Sequence, residues 1–148
     1  EDVLAPGVVE RWLADEQQQR SIAIVGGEVA GHVAVIRGVG WSHHVGEIRL
    51  VVDPERRRRG LGRLLAQRAV VDAVGQGMTK LVVEVVAQQE TTVAMFSSLG
   101  FEAEGLLRDH VRTASGEYHD LLVLAHFVEE LWATMATTGV DEALGIDT

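Results

Sequence analysis

The chain has 148 residues, 47% of them apolar, with 22 acidic against 13 basic side chains, a net charge of -9 and no cysteine. That length suits one domain with a real core, and the lack of cysteine excludes disulfides, thiolate metal sites and an acyl-cysteine intermediate. The acidic balance argues against nucleic acid as a general partner; no apolar run approaches a membrane span and no signal-peptide pattern opens the chain, so a cytoplasmic protein away from membranes is expected.

Residues 6–19 begin with Pro6 and carry Val8, Val9, Trp12 and Leu13 at helical spacing, which predicts a short amphipathic helix. Residues 21–25 and 29–37 read as two strands joined through Gly26-Gly27, a tight hairpin signal. His32 lies among apolar neighbours in the second strand, where a core or edge position competes with a catalytic one. Residues 44–52 form the third strand, with Ile48, Leu50 and Val52 on one face and Glu47, Arg49 and Val51 on the other.

That strand stops at Asp53-Pro54, because proline removes a backbone donor and restricts the residue before it. Arg57-Arg58-Arg59-Gly60-Leu61-Gly62-Arg63 follows and leads into Leu61, Leu64, Leu65, Ala69 and Ala73, which share one face of a helix. The first amides of a helix lack internal partners and carry the positive end of its dipole, so they suit an anion. Gly60 and Gly62 let the main chain approach closely, and the arginines add attraction for phosphate. Five of the 13 basic residues fall between Arg56 and Arg63, a local cluster on an acidic body. A solvated arginine run is the plainer account, but the interleaved glycines favour a pyrophosphate cradle. A nucleoside-triphosphate loop would need Lys and then Ser or Thr where Arg63-Leu64 stand. A dinucleotide fingerprint would need a third glycine at Leu65 and an acidic residue at the end of the next strand, whereas Glu84 lies within its strand.

Gly75 and Gly77 stop the helix, and residues 80–87 read as a strand covered on both faces. Glu84 is the anomaly there: a carboxylate mid-strand pairs with an arginine, faces a cavity or takes up a proton, and the last two make it a candidate base. Residues 89–99 form the next helix, bearing Val93, Phe96 and Leu99 and ending at Gly100. Residues 101–111 and 118–124 make a hairpin across positions 113–116, with Asp109, His110, Glu117, His119 and Asp120 near its ends. Residues 125–138 read as a final helix that places Phe127, Leu131, Trp132 and Met135 together, for packing or a homodimer contact. Residues 1–138 thus read as one domain, and 139–148 as a polar tail.

Arg57-x-x-Gly60-x-Gly62, preceded by Val52-Asp53-Pro54-Glu55, and the downstream Met95-Phe96-Ser97-Ser98-Leu99-Gly100-Phe101 resemble the Gcn5-related N-acetyltransferase (GNAT) superfamily over roughly residues 20–125. The resemblance implies an α/β (α+β) fold with a mixed, mostly antiparallel central sheet and flanking helices. The third strand should carry a bulge and splay from its neighbour. It implies acetyl-CoA as cosubstrate, with the diphosphate on Arg57, Arg58, Arg59, Gly60, Leu61, Gly62 and Arg63, and the pantetheine arm and thioester along Leu50, Val51 and Val52. Members usually begin with a strand and one or two helices ahead of the first hairpin. With about twenty residues there and Glu1 at the start, a missing beginning or a preceding domain is expected, and with it an absent or borrowed edge strand.

Three departures matter. Gln89 stands where members often have Asn, Thr92 where they often have Ala, and Phe96 where many have a Tyr that protonates the departing thiolate. Phenylalanine donates no proton. Acyl transfer to an amine requires a base, a donor for the carbonyl oxygen and an acid for the thiolate. Glu84 and Glu47 are the candidate bases, with Glu84 preferred for an expected burial, and water, His110 or Tyr118 the candidate acids. The implied reaction is direct acetyl transfer to an amine, small or on a protein. A non-catalytic acyl-CoA sensor is the alternative that Phe96 suggests, and a nucleotide-binding module is the third.

Overall fold

The computed structural model describes residues 18–57 and 60–128. Six strands form one sheet in the order β1-β2-β3-β4-β6-β5: β1 (Gln18–Val25), β2 (Glu28–Arg37), β3 (Val45–Val52), β4 (Lys80–Val86), β5 (Glu102–Arg112) and β6 (Tyr118–Phe127). Helix α1 (Leu61–Gly75) connects β3 to β4, and α2 (Glu90–Ser98) connects β4 to β5. The β3-α1-β4 unit is the one parallel crossover among these strands; every other pairing is antiparallel.

The alternation in the strands decides what the helices cover. Val33 and Val35 of β2, Ile48 of β3, Leu81, Val83 and Val85 of β4 and Leu124 of β6 are buried with Leu65, Ala66, Ala69, Val70 and Ala73 of α1 and with Phe96 of α2. Register puts these strand residues on one sheet face, since Val33 pairs with Leu50, Val35 with Ile48, Ile48 with Val83 and Val83 with Leu124. Small alanines at 66, 69 and 73 bring α1 down close to that face. Leu64, expected on the same stripe, is 64% exposed, because the buried stripe is offset toward Ala66 and Val70.

Glycine sets two tight points. Gly26 and Gly27 have φ of 60° and 82°, the pair of positive values that a two-residue hairpin turn demands, and Val25 pairs directly with Glu28 across it. At Gly100, φ is 96° and a Cβ would come 2.7 Å from Nε2 of His126, so only glycine fits where α2 stops.

Three expectations are corrected. The bulge expected in β3 is absent: its register with β2 runs unbroken from Gly31↔Val52 to Arg37↔Gly46, so its residues keep strict alternation. The irregularities lie in β1-β2 and in β5-β6. The final helix does not begin at 125, because β6 continues through Phe127, which pairs with Lys80 and lies 5.4 Å beneath its ammonium. Gln18 and Gln19 belong to β1 rather than to a helix. The remaining positions of both expected terminal helices, with Trp12, Leu131, Trp132 and Met135, lie outside the described residues, as do residues 139–148.

His32 is half-buried in β2, and its Nε2 is 3.2 Å from Nη1 of Arg20 on β1. Burial foremost, and then the Arg20 charge, lowers its pKa from the ordinary 6.5. A histidine whose folded pKa lies below its unfolded one takes up protons more readily when unfolded. Its contribution is therefore intact above pH 6.5 and is lost as pH falls below that value. Thermal melts should show His32→Gln losing less stability than the parent between pH 7 and pH 5; equal losses would mean that His32 titrates alike in both states.

Candidate functional site

β3 and β4 are neighbours for only four parallel pairs, Val45↔Lys80 to Ile48↔Val83. Beyond Ile48, the backbone of β3 continues to Val52 with β2 on one side and no β4 partner on the other. Strand twist separates the two, and the gap opens into a cleft of about 1010 Å³. Leu50, Val51 and Val52 line it from β3, Arg57, Gly60, Gly62 and Arg63 from the loop and the start of α1, and Gln89, Thr92, Met95 and Phe96 from α2. An edge of β3 with free main-chain groups thus faces a space large enough for an elongated ligand.

The loop ahead of α1 is built so that its amides stay available. Asp53 donates its N–H to the Ala30 carbonyl at 2.9 Å, accepts the Glu55 N–H on Oδ1 at 3.0 Å and closes a short 3-10 turn, Pro54–Arg56. Arg56 is a staple rather than a ligand group: its guanidinium donates to the Val25 carbonyl at 3.0 Å and to Glu28 at 2.9 Å, tying the loop to the first hairpin. Gly60 then takes φ of 77° and ψ of 2° as the residue preceding α1, and no side chain caps the helix. An L-residue is strained in that left-handed conformation, which accounts for glycine here. Among the described residues Leu64 is the first whose N–H reaches back, to the Gly60 carbonyl at 3.1 Å, and the amides of Leu61, Gly62 and Arg63 beside the cleft have no partner there.

The arginine cluster divides by role. Arg57 lines the cleft with no partner among the described residues, and Arg58 and Arg59 lie outside the described residues. Arg63 also lines it and donates to Ser98 Oγ at 2.6 Å, while Ser98 donates onward to the Met95 carbonyl at 2.6 Å. The first turn of α1 is thereby tied to the last turn of α2. Gly62 has Val52, Met95 and Leu50 side chains 3.6 to 3.9 Å from where a Cβ would sit, so this turn packs against the cleft wall.

The candidate bases lie on the sheet face away from the helices. Glu47 pairs in register with Val82, so Glu84, two positions on, shares its face, and both line the cleft. Glu47 accepts from Arg49 Nε at 3.2 Å. Glu84 is exposed and has no partner among the described residues, which corrects the expected burial. The apolar run around it is covered on one face, where Val83 and Val85 point, while position 84 points to the other beside the gap left by β3.

Tyr118 and His110 are not brought to the cleft. Tyr118 is 57% exposed at the start of β6 with Arg112 5.4 Å from its ring, and neither residue lines the cavity. Leu61 packs on the core and contributes only its amide. Phe96 is fully buried and meets Phe101 edge to face at 5.3 Å, so its ring closes the inner wall of the cleft. Sequence reasoning assigned no site role to Arg49, Gln88, Glu90, Thr91, Thr92, Met95 or Leu121, all of which line the cavity. For Thr92 the signal was present, because positions 92 and 96 fall on one helix face. For Leu121 it was not, since its approach depends on the pairing of β6 with β4.

The sequence model of the acetyltransferase (GNAT) family matches residues 2–101. Over 76 residues the chain is 34% identical to a ribosomal protein bS18-alanine N-acetyltransferase of Salmonella typhimurium, a match covering 51% of this chain and 51% of that relative. The chain thus spans about half the length of the curated relatives it matches. Among solved structures, a ribosomal-protein-alanine N-acetyltransferase from Brucella melitensis superposes with a TM-score of 0.73 at 23% identity, over 80% of this chain and 76% of that one. A Salmonella typhimurium protein whose structure holds its cofactor acetyl-CoA superposes with a TM-score of 0.69 at 21% identity, over 74% and 64%. These superpositions show that the fold is shared. Among the described residues no helix is long and apolar enough to cross a membrane.

Proposed function

The chain belongs to the acetyltransferase (GNAT) family, and on that premise we propose that it is an acetyl-CoA-dependent N-acetyltransferase of the cytoplasm, moving the acetyl group directly to an amine. The observation that carries this reading is the cleft, in which a splayed strand edge leads to an uncapped helix start flanked by Arg57 and Arg63. The amides of Leu61, Gly62 and Arg63 hold the diphosphate, helped by the helix dipole, and the two guanidinium groups neutralise it. The pantetheine arm runs along Leu50, Val51 and Val52, where main-chain groups on the strand edge away from β2 hydrogen-bond its amides and polarise the thioester carbonyl.

Acetyl-CoA supplies the activated acyl group; the residues of this chain position it and handle protons. The amine reaches the thioester from the sheet face that carries Glu47 and Glu84. Glu84, with no partner among the described residues, takes the ammonium proton directly or through water, and Glu47, already engaged by Arg49, is the second candidate. The amine nitrogen bonds to the carbonyl carbon, the C–S bond breaks, and its electron pair leaves on sulfur. With no cysteine in the chain, the acyl group does not pass through an enzyme thioester.

Phe96, an apolar wall where a proton donor would assist the thiolate, favours a second reading, an acyl-CoA-binding module without turnover. An amine panel separates the two. It should include polyamines, amino acids and a peptide with N-terminal alanine, the residue named in the relatives above. Thiol release with an acetylated product identified by mass supports the enzyme, and coenzyme binding without release from any amine supports the module.

Gly60→Glu should abolish acetyl-CoA binding measured by calorimetry, since it puts bulk, strain and negative charge against the diphosphate. Undiminished affinity would refute the cradle. Glu84→Gln should lower kcat by about 100-fold or more while leaving acetyl-CoA affinity nearly unchanged. An unaltered kcat would remove Glu84 from the reaction.

A further inference from the structure

We propose that the hydroxyl of Thr92 is the group that stabilises the departing thiolate, donating a hydrogen bond to the coenzyme sulfur from the wall of α2. The inference rests on the coenzyme reading above and concerns the leaving-group side, which the carboxylates on the opposite sheet face do not serve.

A thiol ionises near pH 8.5, so sulfur carries substantial negative charge as the C–S bond breaks. Bond order and charge balance without a net proton from the protein: the electron pair goes to sulfur, the amine proton goes to carboxylate or water, and solvent later protonates the thiolate. What lowers the barrier is a donor held where charge develops.

Of the donors lining the cleft, Arg49 and Arg63 are engaged by neighbouring side chains, and on the wall of α2 and the turn before it Gln88, Gln89 and Thr91 are exposed whereas Thr92 is partly buried. Arg57 and Arg63 stand at the end formed by the start of α1, and Arg63 is tied to Ser98. Arg49 lies on the far sheet face, paired with Glu47. Tyr118 and His110 do not line the cleft. Thr92 does, partly buried one helical turn before Phe96 and on the same face of α2. Its hydroxyl makes no hydrogen bond among the described residues, unlike Ser98, whose hydroxyl donates to the Met95 carbonyl. Partial burial on the face that carries the fully buried Phe96 shields this hydroxyl from bulk water, and a hydrogen bond to a charged acceptor is stronger there than in water. The main rival is Gln89, exposed in the cleft lining, whose side-chain amide has no partner among the described residues.

The test reads the acidity of bound coenzyme A itself and needs no acceptor. Because the chain has no cysteine, the thiolate absorbance belongs to the ligand alone, and desulfo-coenzyme A as reference removes the contribution of the single tyrosine. In the parent protein the bound thiol should ionise below its free value of about 8.5. Thr92→Val should raise that midpoint by about one pH unit, equivalent to a tenfold change, and should leave coenzyme affinity by calorimetry within about twofold. Thr92→Ser, which keeps the hydroxyl, should restore the parent value. An unchanged midpoint in Thr92→Val, or a shift that appears only in Gln89→Leu, would overturn the assignment while leaving the coenzyme site intact. Failure of the parent to bind coenzyme A at all would instead bring down the coenzyme reading, and this inference with it.

Discussion

The structure depends on the short partnership between β3 and β4. Four parallel pairs hold the two halves of the sheet together, and past Ile48 and Val83 the strands part. A longer pairing would satisfy the β3 backbone and close the gap, and a shorter one would leave the halves joined mainly through the helices. Everything functional is arranged around that separation: α1 starts at one rim, α2 forms a wall, and Glu47 and Glu84 stand on the face that the helices leave open. The splay arises without a bulge. β3 keeps unbroken register with β2, so twist and the loss of the β4 partner suffice, and the facing of Glu47, Arg49 and Val51 follows simple alternation.

Conformation and charge work together at the start of α1. Asp53 and Arg56 fix the loop through backbone and side-chain hydrogen bonds to the first hairpin. Gly60 then turns the chain through a left-handed conformation into the start of α1, where no side chain caps the first amides. Only some of the local basic charge is free to serve a ligand, because Arg56 is used in holding the loop. A count of arginines therefore overstates the anion-binding charge, and the hydrogen bonds of each one decide its role.

Much of this was legible in the sequence because the signals were local. Asp53-Pro54, the spaced glycines, Gly26-Gly27 and Gly100 each act through backbone geometry within a few residues, and the elements around them fall where expected. Glu84 was misjudged because an apolar run in a strand does not reveal that one face has lost its covering when a neighbour diverges. Tyr118 was misplaced for a related reason: where the β5-β6 hairpin ends relative to the cleft depends on long-range register, including the irregularity between Leu107 and Val111. The stretch from Ala125 to Phe127 has helical spacing, yet it continues as a strand because β4 offers it partners as far as Lys80. Local propensity yields there to a waiting sheet edge.

The link from Arg63 to Ser98 has an entropic consequence. A long cationic side chain ordinarily surrenders rotamer freedom at the moment it meets its ligand. Here Ser98 restrains that freedom in the folded chain, so a diphosphate bound as proposed would meet a cation oriented in advance. Arg57, with no tether among the described residues, still has its freedom to lose; in the proposed cradle its contribution would lie more in drawing the diphosphate from a distance than in the final grip.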